Sequence, residues 1–205
     1  MQEYLVIIAL GFIVGSIPFG VLIALRCGVD PRKVGSFGTG ASNTARAVGE
    51  KHGKRAGLAA FVLTTVLDAL KGASPLLLTD VHSLVLVGGF AAVLGHCFSP
   101  WLKFKGGKGV ATTLGVIIVT QPPVVSCTAV GTFFVVLALW GYISAASMIA
   151  TATLPIVVLA TTANYLDVVC FVVLANVVAV MHRTNIKRLR GGTERRLRFH
   201  ILGRH

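Results

Sequence analysis

Acidic residues are scarce in this chain. Only 7 of its 205 residues are Asp or Glu, against 19 Lys and Arg, which leaves a formal net charge of +12. Charged residues of both signs make up 13% of the sequence, while 55% of it is hydrophobic and the mean hydropathy is +0.82. Soluble globular domains carry about 25% charged residues. The composition therefore excludes an ordinary soluble domain and indicates a membrane protein.

Paired cysteines are missing as well. Cys27, Cys97, Cys127 and Cys170 are scattered along the chain, and none belongs to a Cys-x-x-Cys motif. Structural zinc sites and disulfide frameworks depend on such spacing, whereas isolated thiols in helices behave mostly as small hydrophobic side chains. We therefore expect no disulfide framework, no metal site and no cofactor.

Three common catalytic or nucleotide-binding signatures are also absent. No histidine is followed five positions later by aspartate, which is the arrangement of many acyl-CoA-dependent acyltransferases. The chain contains neither a Gly-x-Ser-x-Gly elbow nor the full Gly-x4-Gly-Lys-Ser/Thr sequence of a nucleotide P-loop. The chemistries that rely on these signatures are not indicated.

Long apolar segments separated by short polar ones predict an all-α polytopic membrane protein with seven transmembrane helices, in a single domain over residues 1–205. The segments are apolar all round, whereas barrel strands would alternate between apolar and polar positions. Pro18 should kink the first segment, and the fourth is shorter than the ~20 residues of a full crossing. Residues 26–55 should form a polar loop. The segments are residues 4–25, 56–78, 83–98, 110–121, 124–140, 142–161 and 165–181.

Lysine and arginine lie almost entirely on one side of these predicted helices. When alternate loops are assigned to opposite sides, every Lys and Arg except Lys71 falls on the side of residues 26–55, 99–109 and 182–205. An excess of these residues marks the cytoplasmic face. We therefore expect the N-terminus outside the cell, with residues 183–205 as a basic cytoplasmic tail.

Lys71 and Asp68 are charged residues inside a predicted span. Such residues suggest function, but the spacing of three positions also allows a structural ion pair. Counting about 1.5 Å per residue from Arg55 places Asp68 about 20 Å from the cytoplasmic end. We predict a structural pair that lies away from the polar loops.

A loop rich in glycine and lysine follows the third predicted span, within residues 95–113. Glycines let the backbone approach a ligand closely, and successive N–H groups near a helix N-terminus can form a concave anion site. The loop therefore predicts a phosphate site, with a basic loop that contacts lipid headgroups as the alternative. Its glycines and lysines are Lys103, Lys105, Gly106, Gly107, Lys108 and Gly109.

Residues 35–46 form a second polar patch on the same predicted side. They combine glycines with short hydroxyl and amide side chains. They end in Arg46, which can bind phosphate through two parallel hydrogen bonds. A flexible loop whose polar residues cap helices is the alternative.

Residues 182–194 form a third patch. Their spacing predicts a helix with His182, Asn185 and Leu189 on one face, since residues three and four apart are neighbours. Glu194, the one acid there, is expected to pair with arginines. A basic segment that binds anionic lipid is the alternative.

At these patches the chain resembles the bacterial membrane glycerol-3-phosphate acyltransferases that use acyl phosphate as donor. Residues 95–112 look like that family's second motif, residues 182–194 like its third, and residues 68–72 like the signature of its second helix. The first motif departs from the usual Gly-Ser-Gly-Asn-x-Gly-Ala-Thr-Asn-x-x-Arg, because Phe-Gly stands at 37–38 and Ser42 replaces Thr. Ser36, Asn43 and Arg46 are retained from that motif.

The resemblance implies transfer of a fatty acyl group from acyl phosphate to the sn-1 hydroxyl of glycerol 3-phosphate, which gives lysophosphatidic acid and phosphate. Because acyl phosphate is already an activated anhydride, we expect direct attack without an acyl-enzyme. We further expect a monomer in the lipid bilayer of the bacterial cytoplasmic (inner) membrane. Its active site should face the cytoplasm, and no nucleic-acid partner is expected.

The residues expected to take part fall into two groups, and the general base stays open between His96 and a phosphate oxygen of the substrate. Those assigned to catalysis are His96, Ser36, Arg46, Lys108, His182 and Asn185. Those assigned to substrate binding are Gly35, Gly38, Gly40, Asn43, Lys105, Gly106, Gly107, Gly109, Arg183 and Glu194.

Two other functions are compatible with the composition. A small membrane transporter of a phosphorylated anion could use the basic loops as a vestibule, but it would be expected to carry polar groups along a path at mid-membrane. A structural lipid-binding membrane protein would not explain why the loops are rich in glycine. The phosphate-suited groups on one face favour the enzyme.

Overall fold

The computed structural model describes residues 1–197, and these residues form α-helices and short 3-10 turns without a β-strand. The prediction of an all-α protein is confirmed. The helices are α1 (Gln2–Gly15), α2 (Phe19–Arg26), α3 (Ala41–His52), α4 (Lys54–Ala73), α5 (His82–Cys97), α6 (Val110–Thr120), α7 (Pro123–Trp140), α8 (Ile143–Thr162), α9 (Tyr165–Met181) and α10 (Arg183–Arg190).

Five helical segments in this part of the chain are long and apolar enough to cross a membrane. They are Gln2–Arg26, Lys54–Leu77, His82–Leu102, Pro123–Trp140 and Ile143–Thr162. Helices α9 and α10 pass the same test together but are bent by 60°. With its 11 residues, α6 is about 16 Å long, half of a hydrocarbon core of about 30 Å. Length and composition therefore support five to six spans, and the seventh stays a prediction.

At the predicted kink, the helix is interrupted for three residues, 16–18, between α1 and α2. Proline has no N–H to donate to the preceding turn, so α1 ends at Gly15 and α2 starts at Phe19. The break leaves backbone carbonyls at Ser16 and Ile17 that accept hydrogen bonds from side chains of other helices and loops. The first cluster of polar side chains is assembled around this irregular segment.

The prediction that residues 26–55 form only a polar loop is wrong, because they contain α3. Its buried side chains include Asn43, Thr44, Ala47 and Val48, which recur with helical spacing on one face. Half of these buried residues are polar, so the sequence of α3 shows no apolar stripe. The helix ends at His52, and the φ of +89° at its C-cap residue Gly53 stops the helical backbone before α4 begins.

Residues 1–120 form the first of two compact units. Within it, α1 packs on α5 and α4 packs on α6 with backbones in direct contact. A methyl group at Gly11, Gly15 or Gly95 would collide with the facing helix of the first pair, and one at Gly72 or Gly115 with that of the second. Small residues of this kind let membrane helices approach closely where no hydrophobic effect drives them together.

The second unit begins at Gln121 and contains α7 to α10. Helix α8 packs against both α7 and α9. At one end, the Gln121 side chain donates to the buried Asp167 carboxylate at 2.7 Å. At the other, the N–H of Leu197 donates to the carbonyl of Gly141 at 2.7 Å, which ties the segment after α10 to the turn between α7 and α8.

Candidate functional site

A buried ammonium group lies at the centre of the first unit. Lys71 is 2% exposed, and its Nζ donates to the Ile17 carbonyl at 2.9 Å and to His96 Nδ1 at 3.0 Å. It also lies 2.8 Å from Asp68 Oδ1 as an ion pair, although that oxygen has no partner at hydrogen-bond angles. The predicted Asp68–Lys71 pair is therefore confirmed.

The prediction that this pair lies away from the polar loops is wrong. Asp68 Oδ1 is 3.6 Å from His96 Nδ1, and the backbone of His96 contacts the glycine-lysine loop directly. The loop itself lies at the level of this pair, because it leads into α6, whose Thr112 carbonyl contacts Gly72 of α4. Counting helical rise from Arg55 assumed that the loop lies at the end of α4 where that helix begins.

Gly106 and Gly107 lie on the last turn of α5. Their N–H groups donate to the carbonyls of Cys97 and His96, both at 3.0 Å, which satisfies two acceptors that a helix C-terminus leaves open. A methyl group at Gly106 would collide with the His96 carbonyl, and one at Gly107 with His96 Nε2. These glycines therefore bring the loop onto the histidine, and their N–H groups are already bonded to α5. Close approach of substrate to Gly106 and Gly107 stays a prediction.

The loop then turns into α6. Gly109 has a φ of +81°, a backbone conformation that favours glycine, and α6 begins at the next residue, Val110. The partial positive charge of this N-terminus lies next to Lys108, which is half-buried, and Lys105 is exposed. This part of the loop has the features of an anion site.

A small cavity adjoins the His96 ring. Its volume of about 10 Å³ is enough for about one water molecule. It is lined by the broken segment between α1 and α2, by Thr39, by Asp68 and by Gly107. Ser99 lines it too and donates through Oγ to the Ser16 carbonyl at 2.6 Å. Polar groups thus concentrate where the helix breaks.

Asn43 organises the loop that precedes α3. Its amide nitrogen donates to the carbonyls of Pro31 and Gly38 at 2.7 and 2.9 Å, and its Oδ1 accepts from the Ser36 N–H at 2.9 Å. Arg46 Nη1 also donates to this oxygen, at 3.5 Å. These contacts shape the loop, and direct binding of substrate by Asn43 stays a prediction.

The other residues predicted in this patch surround that network. Ser36 is exposed and Arg46 half-buried, while Gly40 is the N-cap residue of α3. A methyl group at Gly35 would meet the side chains of Asn43 and Arg46. The structure therefore brings Ser36, Asn43 and Arg46 together in one loop-helix junction.

The second unit carries a cluster around Glu194. Its carboxylate accepts from Asn185 Nδ2 at 2.6 Å, from Ser144 Oγ at 2.7 Å and from Arg188 Nε at 2.8 Å. The predicted pairing of Glu194 with an arginine is confirmed. Burial of the carboxyl would raise the pKa of Glu194, but these three hydrogen bonds outweigh burial and hold the pKa below its usual value.

Sequence reasoning missed Ser144. Its position could have indicated a role, because Ser144 is the second residue of α8 and follows a turn predicted to lie on the same side as the basic loops. Arg183, predicted to bind substrate, is exposed at the start of α10. The structure therefore brings Asn185 and Glu194 together and leaves Arg183 at the surface.

His182 lies at the bend between α9 and α10 and is buried. Its Nδ1 is 2.8 Å from the carbonyl of Val178. A carbonyl can only accept, so Nδ1 carries the hydrogen and Nε2 holds the lone pair of the neutral ring. Asn185, predicted to share its face, is also buried.

Comparisons with known proteins give matches to one family along nearly the whole chain. A family model described as glycerol-3-phosphate acyltransferase matches residues 5–192. The glycerol-3-phosphate acyltransferase of Geotalea daltonii is 40% identical over 198 residues, covering 95% of this chain and 97% of the relative. That of Geobacter sulfurreducens is 41% identical over 202 residues, covering 97% and 100%.

Two solved structures are similar to this chain over nearly its whole length. The crystal structure of PlsY (YgiH), an integral membrane glycerol 3-phosphate acyltransferase, in its glycerol 3-phosphate form has a TM-score of 0.83 at 35% identity, over 95% of this chain and 96% of that one. The lysophosphatidic acid form has a TM-score of 0.81 at 34% identity, over 95% of each chain.

Proposed function

The chain belongs to the glycerol-3-phosphate acyltransferase family, and from that premise we propose that its acyl donor is an acyl phosphate. It is an integral membrane acyltransferase that acts on glycerol 3-phosphate. In the proposed reaction the sn-1 hydroxyl attacks the donor carbonyl and inorganic phosphate leaves, so lysophosphatidic acid forms in one step without an acyl-enzyme.

The observation that carries the donor assignment is the glycine-lysine loop. Lys105 and Lys108 flank a backbone turn that leads into the N-terminus of α6, and such a turn suits a phosphate group. Acyl phosphate needs little help from an acid because its leaving group is already an anion. The His-x4-Asp signature of many CoA-dependent acyltransferases is absent.

Positioning accounts for most of the proposed catalysis. Two anionic substrates must be held in attack geometry, which can lower the barrier by about 7–11 kcal/mol. Cationic and backbone donors offset the repulsion between phosphates and stabilise charge that develops on the carbonyl oxygen. The residues proposed to contact phosphate are Ser36, Arg46, Lys105, Lys108, His182 and Asn185, and Arg183 is proposed to bind substrate. Because Nδ1 of His182 already donates to the Val178 carbonyl, its contact with phosphate would use Nε2–H of the protonated ring.

Other predicted residues fit an indirect role better. Asn43 shapes the loop that carries Ser36, and Glu194 holds Asn185 and Arg188. The backbone groups proposed to lie against substrate are those of Gly35, Gly38, Gly40, Gly106, Gly107 and Gly109. The acyl chain would lie among the apolar helices, open to the bilayer.

The proposed topology has seven spans in a single-domain monomer of the bacterial inner membrane, with the N-terminus outside. The asymmetry of Lys and Arg supports it. In a cysteine-free background, Thr193→Cys should react with an impermeant thiol reagent only after the membrane is opened. Asp80→Cys, on the opposite predicted side, should react in intact cells. The reverse pattern would invert the topology and place the site outside.

The donor is tested by assaying the purified protein with acyl phosphate, acyl-CoA and acyl-carrier protein side by side. Acyl phosphate alone should support turnover. Initial-rate plots against glycerol 3-phosphate at several donor concentrations should intersect, because direct attack requires both substrates to be bound together. Parallel lines with a trapped acylated protein would instead show a covalent intermediate, and turnover with acyl-CoA alone would refute the donor.

A transporter of a phosphorylated anion is the second candidate. It is favoured by charged residues within a span, but Lys71 and Asp68 contact His96 rather than extending along a path. Uptake of labelled glycerol 3-phosphate into vesicles without turnover would support it.

A further inference from the structure

The buried Lys71 dictates which nitrogen of the His96 ring carries hydrogen. An ammonium group has three N–H donors and no acceptor. Because Lys71 Nζ lies 3.0 Å from His96 Nδ1, that nitrogen must accept, and the ring that accepts there is neutral with its hydrogen on Nε2. The contacts of Lys71 with the Ile17 carbonyl at 2.9 Å and with Asp68 at 2.8 Å fix the ammonium from two further directions.

The hydrogen-bearing nitrogen faces the glycine-lysine loop. His96 Nε2 lies so close to Gly107 that a methyl group there would collide with it. His96 and Gly107 also line the same small cavity, with Asp68 on its wall. The sequence suggested His96 as a candidate base, yet a ring in this state has no lone pair at Nε2 to take a proton.

We propose that Asp68 and Lys71 hold His96 as a hydrogen-bond donor, whose Nε2–H is directed to an anionic oxygen of the substrate at the glycine-lysine loop. The inference rests on the proposed function for the identity of that substrate. Lys71 and Asp68 are positioning residues, and no proton is transferred through His96. The proton of the attacking hydroxyl goes to another acceptor, such as a phosphate oxygen of the substrate.

The tautomer can be measured without any substrate. Nitrogen NMR of the full-length protein, labelled with ¹⁵N-histidine, should show the His96 ring with a hydrogen-bearing Nε2 and an unprotonated Nδ1. The resonances are identified by their loss in His96→Gln. Lys71→Met should abolish the preference for this tautomer, whereas Lys54→Met, which changes an exposed lysine of the same helix, should leave the spectrum unchanged. A hydrogen on Nδ1 in the unaltered protein would overturn the proposal.

Two amide substitutions separate a donor from a base. The glutamine amide reaches the position of Nε2 and can donate, whereas the asparagine amide reaches only the position of Nδ1, and neither is a base. His96→Gln should therefore retain kcat within about tenfold, while His96→Asn should lose about 10²-fold or more, the usual cost of removing one donor to a developing oxyanion. Equal losses in both variants would refute the donor role.

These results are distinguishable from a failure of the proposed function. If the unaltered protein does not use acyl phosphate, the donor assignment is wrong, while the NMR result still decides the tautomer. If the tautomer is as proposed but His96→Asn keeps full activity, Lys71 and His96 are structural and the proposal is refuted.

Discussion

His96 in the first unit and His182 in the second each follow an apolar helical run, yet their rings are held in opposite ways. His96 Nδ1 accepts from Lys71, 25 positions away, whereas His182 Nδ1 donates to the carbonyl of Val178, 4 positions away in its own helix. A neutral His96 thus presents an N–H at Nε2, and a neutral His182 a lone pair. Two histidines in similar sequence environments therefore differ in which ring nitrogen carries the hydrogen, because their hydrogen-bond partners differ.

The same contrast holds for the clusters around the two histidines. In the first unit, the bond from Ser99 to Ser16 spans 83 positions. In the second, the bonds from Asn185 and Arg188 to Glu194 span 9 and 6 positions. The first cluster depends on how distant helices pack, whereas much of the second follows from one helix and the segment after it.

The comparison of the histidines predicts that the same substitution has different effects at the two sites. His182→Gln should lower kcat/KM by about 10²-fold, because a neutral amide cannot supply the charge-assisted hydrogen bond to phosphate proposed for His182 and leaves the Val178 carbonyl without the donor that Nδ1 provides. His96→Gln should retain far more activity. Steady-state kinetics of both variants, with expression and thermal unfolding as controls for folding, provide the measurement. Equal losses at the two positions would remove the contrast.

A smaller effect is expected from removing one cation of the first unit. Arg46→Ala and Lys108→Ala should each lower kcat/KM tenfold or more, because hydrogen bonds to charged groups contribute about 1.5–3 kcal/mol. Arg190→Ala, which removes an exposed cation at the end of α10, is the matched control and should leave kinetics unchanged. Ordinary kinetics in Arg46→Ala or Lys108→Ala would exclude that residue from the site.

The cluster of the second unit should respond to acid. The pKa of Glu194 is lower in the folded protein than its ordinary value, so the unfolded state binds the proton more tightly. The stabilisation is therefore present above about pH 4.3, the usual pKa of glutamate, and is lost as the pH falls through the folded pKa. Glu194→Gln should lower the melting temperature at neutral pH by about 2–4 °C for each kcal/mol lost.

The difference between the unaltered protein and Glu194→Gln should shrink on acidification. Glu50→Gln, which alters an exposed acid at the end of α3, should show no such convergence. A pH-independent difference for Glu194→Gln would mean that its carboxylate is not held by charge.

The contrast between the units also explains what the sequence could reveal. The apolar runs predicted most helices, and the local spacing of residues 182–194 predicted the pairing of Glu194 with an arginine, because helical geometry brings near residues together. Helix α3 was missed because its buried face includes the polar Asn43 and Thr44. The contact of Lys71 with His96 was missed because it depends on tertiary packing and on the reach of one side chain.

The smallest expected effect concerns Phe37, where this chain departs from the usual motif of the family it resembles. Phe37 has a φ of +58° and is 67% exposed, so it adopts a left-handed backbone that costs a non-glycine residue about 1–2 kcal/mol without burying its ring. The loop is held locally by Asn43, in the manner of the second unit.

Phe37→Gly should therefore raise the free energy of unfolding by about 0.5–1 kcal/mol, since part of the relief is offset by the greater freedom of glycine when unfolded, and it should change kcat/KM less than twofold. Phe37→Ala is the control, because it removes the ring but keeps a Cβ at positive φ. Denaturant unfolding in detergent should rank glycine above both alanine and phenylalanine. If Phe37→Ala stabilises the protein as much as Phe37→Gly does, the energetic cost comes from the exposed ring and not from the backbone. If Phe37→Gly abolishes activity, the ring itself contacts substrate, and the hydrogen bonds of Asn43 alone do not make the loop functional.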